Sequence, residues 1–239
     1  MPLPELDFRL DDFEAADERT EETFWHAIES EQDTLTVLAE HHTPDGSHSF
    51  YVLHNGAVTW GIPGEPQILA LHLQRDSARR TFRFEHAPLP LAPMAQSWLI
   101  HRGCPPDAIG LNPGLGPPPA DEATRALERR LMGDGDHYAC GFSYTNDNPN
   151  DWVTVVALRA LNERSLSPFR VVVEEVDDKA WTHTLREGAF ATVEEALQWC
   201  HDRLAGTAGP LPPLRPPTSF TRPAGIPKAP APPPHGRSR

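Results

Sequence analysis

Lysine is nearly missing from this chain of 239 residues: only Lys179 and Lys228 occur, so arginine carries almost all the positive charge. That is the codon usage expected of a GC-rich, bacterial genome, and it carries no mechanism. Cysteine is scarce too. Cys104, Cys140 and Cys200 are odd in number and lack CxxC spacing, which excludes a disulfide framework and a zinc knuckle and leaves buried reduced thiols as the expectation. No run of about 18 apolar residues is present to span a membrane, and the opening MPLPELDFRLDD has no apolar leader segment, so a cytoplasmic protein with no membrane partner is expected. Positive charge is short overall, with a net charge of −13. From Thr207 onward the chain has five cationic and no acidic side chains, which leaves −18 on residues 1–206. A body that acidic repels phosphate backbones, so no direct nucleic-acid binding by it is expected.

Catalytic signatures are equally absent. No GKS or GKT follows a glycine-rich turn, and no GxSxG elbow occurs. The stretch TNDNPNDW, residues 145–152, offers oxygen ligands but lacks the central glycine and terminal glutamate of a calcium loop; it reads as a hairpin turn. His41, His42, His48 and His54 flank another predicted hairpin, and His42 with His54 would need a carboxylate such as Glu40 or Asp45 to form a metal site. Exposed histidines on a polar turn are the simpler reading, and no metal or cofactor is expected. The acidic pairs Glu174–Glu175 and Asp177–Asp178 are neighbours on a strand, which point to opposite faces, whereas glycoside hydrolysis needs carboxyls facing across a cleft. No catalytic residue is assigned.

What is present is a pattern that occurs twice. Residues 17–29 form an amphipathic helix carrying Phe24 and Ile28; TLTVLAEHH, SFYVLHN, QILALHLQ and TFRFEH follow as strands, with VTWGI a possible further one, and MAQSWLIHRG closes as a helix. After RGCPPDAIGLNPGLGPPPA, read as a linker, the order returns: a helix at 121–132 with Ala123, Leu127 and Leu131 on one face; strands HYACGFSY, DWVTVVALR, FRVVVEEV and WTHTLRE; and a helix VEEALQWCHDRLAG stopped by Gly206. An offset of 103 carries Phe24, Ile28, Leu35, Val37 and Ala39 onto Leu127, Leu131, Tyr138, Cys140 and Phe142. An offset of 102 carries Thr43, Asp45 and Phe50 onto Thr145, Asp147 and Trp152. An offset of 101 carries Thr81, Phe84, Ala95, Trp98 and Arg102 onto Thr182, Leu185, Ala196, Trp199 and Arg203.

Both halves also contain Ala-Asp-Glu-x-Thr, at residues 16–20 and 120–124, which match at an offset of 104. That offset places Phe24 on Glu128, so the shared letters read as helix-start chemistry reached twice.

The expected architecture is α+β: two tandem related α-ββββ-α domains with antiparallel sheets, at 14–103 and 120–206. They are flanked by an extension at 1–13, a Pro/Gly-rich linker at 104–119 and a disordered Pro-rich basic tail at 207–239. By element order this resembles the tandem peptide-binding chaperone folds related to type III secretion chaperones and to the YbjN family, which occur in actinobacteria. The resemblance implies a protein without enzymatic activity that holds a protein or peptide partner, and a homodimer is possible through an open strand edge. Trp25, Trp60 and Trp181 have no aromatic counterpart in the other half and are the candidate peptide contacts. Trp98 and Trp199 match each other and read as core. The alternatives are an acidic accessory regulator of a DNA-processing enzyme and a hydrolase using a carboxylate pair.

Overall fold

A computed structural model of the chain describes residues 6–28, 33–58, 64–134, 137–148, 151–162 and 167–214. Within them the fold is mixed α+β, with four α-helices and two mainly antiparallel sheets. The first half comprises β1 (Glu14–Ala15), α1 (Glu18–Ala27), β2 (Leu35–His42), β3 (His48–Asn55), β4 (Ile68–Asp76), β5 (Thr81–Leu89) and α2 (Ala92–Ile100). The second comprises α3 (Glu122–Asp134), β6 (Tyr138–Asn146), β7 (Val153–Ala160), β8 (Phe169–Asp177), β9 (Thr182–Phe190) and α4 (Val193–Leu204). Strand order is β1-β5-β4-β3-β2 in one sheet and β6-β7-β8-β9 in the other. Two expectations, the VTWGI strand and the tail from residue 215, fall on residues that lie partly or wholly outside those described.

Alternating apolar positions give each sheet two buried faces. Tyr51, Leu53, Leu71 and Leu73 meet Phe24 of α1 and Ile28 just past its end, while Phe50, Val52 and Ala70 meet Ala95 and Leu99 of α2 on the other side. In the second sheet Val156, Leu158, Val172 and Leu185 meet Leu127 and Leu131 of α3, and Val155, Ala157 and Val171 meet Ala196 and Cys200 of α4. Met94 of α2 and Leu91, which caps its start, also enter the core beneath α3. Buried on both sides, α2 is apolar nearly all round, as a helix between two layers must be. Each large aliphatic side chain so enclosed contributes about 1.5–3 kcal/mol.

The backbone irregularities recur at matching positions. A β-bulge lies between Val37 and Ala39 on β2 and between Cys140 and Phe142 on β6, which fits the offset of 103. The Asp76 carboxylate accepts from the backbone of Ala78 and Arg79, and Asp177 accepts in the same way from Lys179 and Ala180. Each turn then ends on a left-handed residue before the next strand, Arg80 (φ 54°) and Trp181 (φ 50°).

Pairing corrects two expectations. Val37 faces Leu53 while Cys140 faces Leu158, so β3 and β7 correspond at an offset of 105 and not 102. The connection after β6 is longer, and Phe50 matches Val155 instead of Trp152. The second correction concerns Ala-Asp-Glu-x-Thr. Asp17 Oδ1 accepts from Thr20 N at 2.8 Å and Oγ1 at 2.7 Å, and Asp121 Oδ1 accepts from Thr124 N and Oγ1, both at 2.8 Å. Ala16 N donates to Phe82 O on the outer edge of β5, and Ala120 N donates to His183 O on the outer edge of β9. The motif thus marks equivalent positions at an offset of 104. It also makes Thr124, and not the exposed Ala123, the buried residue of the first turn of α3.

Connecting segments pack tightly. Leu6 and Phe8 belong to the first core, where Phe8 meets both Phe24 and Tyr51 edge-on. Cys104 and Ile109 are buried beside α2, and Asn112 N donates to Leu38 O on β2. The Pro-rich segment from Thr207 begins docked: Trp199 Nε1 donates to Gly209 O at 3.0 Å, and Ala189 N to Pro212 O.

Candidate functional site

Of the tryptophans chosen from sequence, Trp25 and Trp181 lie on elements that belong to different sheets. Trp25 stands on the outer side of α1, 53% exposed, against His26, and Trp181 occupies the left-handed turn before β9, 50% exposed, with its edge toward Trp152. Trp60 lies outside the described residues. Trp98 and Trp199 cover the ends of their helices while remaining partly exposed; the Arg102 guanidinium lies 3.4 Å above the Trp98 ring.

The histidines divide between the faces of the first sheet. His42 Nδ1 shares a hydrogen bond with Ser49 Oγ on the α1 side. On the α2 side His48 Nδ1 and His72 Nε2 are 3.0 Å apart, and His72 stacks on Phe50 at 4.4 Å. Burial, followed by the charge of His48, pushes the His72 imidazole down to about 4. His54 pairs opposite Thr36 while His42 pairs opposite Ser49, five residues further along β3, so the two rings are separated by roughly 17 Å of strand. Among the described residues no group of three His, Cys, Asp or Glu side chains is placed to hold a metal ion.

A polar cluster lies instead under α3. His183, 7% exposed, projects from β9; its Nε2 is 3.1 Å from Glu128 Oε1 and its Nδ1 donates to Pro117 O at 2.8 Å. Glu174 of β8 faces them on the same side of the sheet, while its neighbour Glu175 points to the other face and binds Arg203 at 2.7 Å. Burial works to lower the imidazolium of His183, but the bond to Glu128, the charge of Glu174 and the Pro117 carbonyl outweigh it and raise its pKa. Burial above all raises the Glu174 carboxyl, against the pull of His183 and with the push of Glu128.

No family model, curated protein or solved structure matches the chain.

The four sheet edges differ. The outer edge of β5 takes up β1 in parallel, through Glu14 N to Arg80 O and Ala16 N to Phe82 O. That of β9 takes up residues 118–120, and Pro212 at its far end. Asn112 crosses β2 at Leu38. On β6, Gly64 N donates to Thr145 O at one end, Phe142, Ser143 and Tyr144 are half-buried, and Ala139, Cys140 and Gly141 are exposed toward the other end. The strand YACGFSYTN carries no charged residue. A long uncharged edge is the kind to which another extended chain can add main-chain hydrogen bonds.

The sequence, which offers Glu174 only as one of a carboxylate pair and an open strand edge without saying which, does not join Glu128, Glu174 and His183 or single out β6. The signal for the cluster was present. At offsets of 104 and 101, Glu128, Glu174 and His183 fall on Phe24, Leu73 and Phe82, so three apolar core positions change together into complementary ionisable ones.

Proposed function

We propose that the chain is a non-enzymatic binding protein, two related α+β domains in tandem, that holds an extended segment of a partner protein along the outer edge of β6. The tandem relationship is supported by the paired bulges, turns, helix caps and edge bonds described above. The binding mode is supported by one observation: β5 and β9 each take a stretch of the chain itself onto the outer edge through main-chain hydrogen bonds, while β6 is uncharged and exposed at Ala139, Cys140 and Gly141. This reading agrees with the peptide-holding role implied by the resemblance to secretion-chaperone and YbjN-like folds. His183 has both ring nitrogens engaged by Pro117 and Glu128, so it is not presented to a substrate.

The test is capture of partners by the intact chain and by a Cys140→Lys variant, which places a charge on the β6 edge, at low and moderate salt. It is paired with hydrogen exchange of β6 with and without the captured partner. Main-chain pairing resists moderate salt. The expected result is a partner retained by the unaltered protein, released by Cys140→Lys, and protecting the amides of Tyr138–Asn146. A partner that binds without protecting β6, or that is stripped by moderate salt, overturns the edge-binding mode.

A further inference from the structure

Both ring nitrogens of His183 face groups that act as acceptors: the Pro117 carbonyl at 2.8 Å and the Glu128 carboxylate at 3.1 Å. A neutral imidazole has one N–H and one lone pair. Whichever tautomer forms, one contact then sets lone pair against lone pair, so ring and carboxylate are satisfied together only when they hold one additional proton between them. The backbone at the same residue clamps a connecting segment. His183 N donates to Pro118 O at 3.0 Å, Ala120 N donates to His183 O at 2.8 Å, and Arg125 Nη1 reaches Pro119 O at 3.5 Å.

We propose that Glu128, Glu174 and His183 form a proton-operated latch that fastens residues 117–120 across the outer edge of β9 and frees that edge when the proton leaves. Everything charged around the ring fits this. Helix α3 contributes Glu128, with Asp121 and Arg125 at its start; β8 contributes Glu174; β9 contributes Arg186, whose guanidinium is taken up by Asp121. Residues 116–120 carry no charge, and α2 with its N-cap presents Leu91 and Met94. With the proton present, one positive ring offsets two carboxyls. Without it, the Pro117 or Glu128 contact is lost and the carboxyls face each other without a cation between them. The same edge bond in the first sheet, Ala16 N to Phe82 O, is backed by Phe24 and Phe82, which do not titrate, so the molecule contains its own control. The latch concerns β9 and is independent of the reading of β6.

Amide hydrogen exchange of the intact protein between pH 6 and 9.5, corrected for base catalysis of intrinsic exchange, tests this alongside NMR titration of the His183 ring protons. Protection at Ala120 and His183 is expected to fall at least tenfold as the ring deprotonates, while Ala16 and Phe82 keep theirs. A variant carrying Glu128→Phe, Glu174→Leu and His183→Phe reproduces the apolar filling of the first half and is expected to hold residue 120 at every pH. Glu128→Gln is expected to move both the ring titration and the loss of protection to lower pH. Protection that stays level through the ring titration, or that falls equally at Ala16, overturns the latch. Should the triple variant fail to fold, an unmoved transition in Glu128→Gln overturns it by itself.

Discussion

Glu128 meets His183 where, against the other sheet, Phe24 packs edge-on to Phe82 at 5.2 Å. One backbone arrangement, with the same cap, edge bond and turn, is therefore filled by aromatic rings in one sheet and by an ion pair in the other. A pair enclosed in this way gains little over an apolar pair of similar volume but costs much when only one partner is removed. His183→Ala is expected to destabilise by about 3 kcal/mol, Glu128→Ala by less because its side chain is 25% exposed, and the two together by less than the sum. Denaturant melts of the two singles and the double close the cycle. Additive losses would mean that the two side chains do not act as a pair.

Opposite pH responses are expected from the two sheets. His183 is raised from its ordinary value, so its stabilisation is complete below about 6.5 and is lost as pH rises through its folded value. Glu174, also raised, acts in the same sense, because above its unfolded value the folded state must either keep the proton or bury the charge. His72 is lowered to about 4, so stability is complete above about 6.5 and falls as pH drops through that window. Residue-resolved hydrogen exchange should show β4 loosening first toward pH 5 and β9 loosening first toward pH 9. His72→Phe, which keeps a ring on Phe50, should weaken the acid response and leave the alkaline one unchanged; His42, His54 and His86, which burial also lowers, carry the remainder.

Much of this fold was legible in the chain because alternation and helix periodicity are local. The four strands of each half and the helix starts at Asp17 and Thr192 lie within a few residues of where the pattern puts them. Strand register was not legible, since the lengths of the connections after β2 and β6 do not reveal which residue faces which; Phe50 was set against Trp152 for that reason. The polar cluster was hidden by the same local rule. Glu128 on a helix face looks like an outward residue until a basic side chain is found opposite, and His183 comes from a strand beyond the reach of any periodicity argument. Trp25 and Trp181 stand out for lacking an aromatic counterpart in the other half, which does not reveal that they sit on elements of different sheets.

Arg75 is expected to govern the N-terminal segment. Its buried guanidinium donates to the carbonyls of Phe8, Arg9 and Gly46 and to Ser49 Oγ, so one side chain satisfies three backbone acceptors of otherwise irregular chain. Tyr51 Oη adds a bond to Asp7 O at 3.0 Å. Arg75→Met keeps the stem but strands those acceptors, at about 1–3 kcal/mol for each one left buried and unpaired. The segment should then detach, uncovering Phe8, before the sheets unfold. Limited proteolysis should cut between residues 6 and 13 in the variant while the rest of the chain resists; uniform cleavage would show Arg75 holding the whole first sheet.

Gly188 is expected to control the docking of residues 207–214. A Cβ built there would lie 2.9 Å from Leu211 Cδ2 and 3.0 Å from the Pro212 carbonyl oxygen, and the latter is backbone that also accepts from Ala189 N. Leu211 Cδ2 can turn aside, but Leu211 Cβ, 3.1 Å from the same point, and the Pro212 carbonyl move only with the backbone, at the loss of the bond to β9. Gly188→Ala should therefore push this segment off the edge while leaving β9 paired with β8, because its obstacle lies outside the sheet. Trp199 reports the event directly, since its indole N–H donates to Gly209 O and becomes free to meet water. A red-shifted tryptophan emission with an unchanged melting profile is the expected signature. If emission is unchanged, the segment tolerates the added methyl, and the bond between Trp199 and Gly209 holds it there without help from the bare backbone at Gly188.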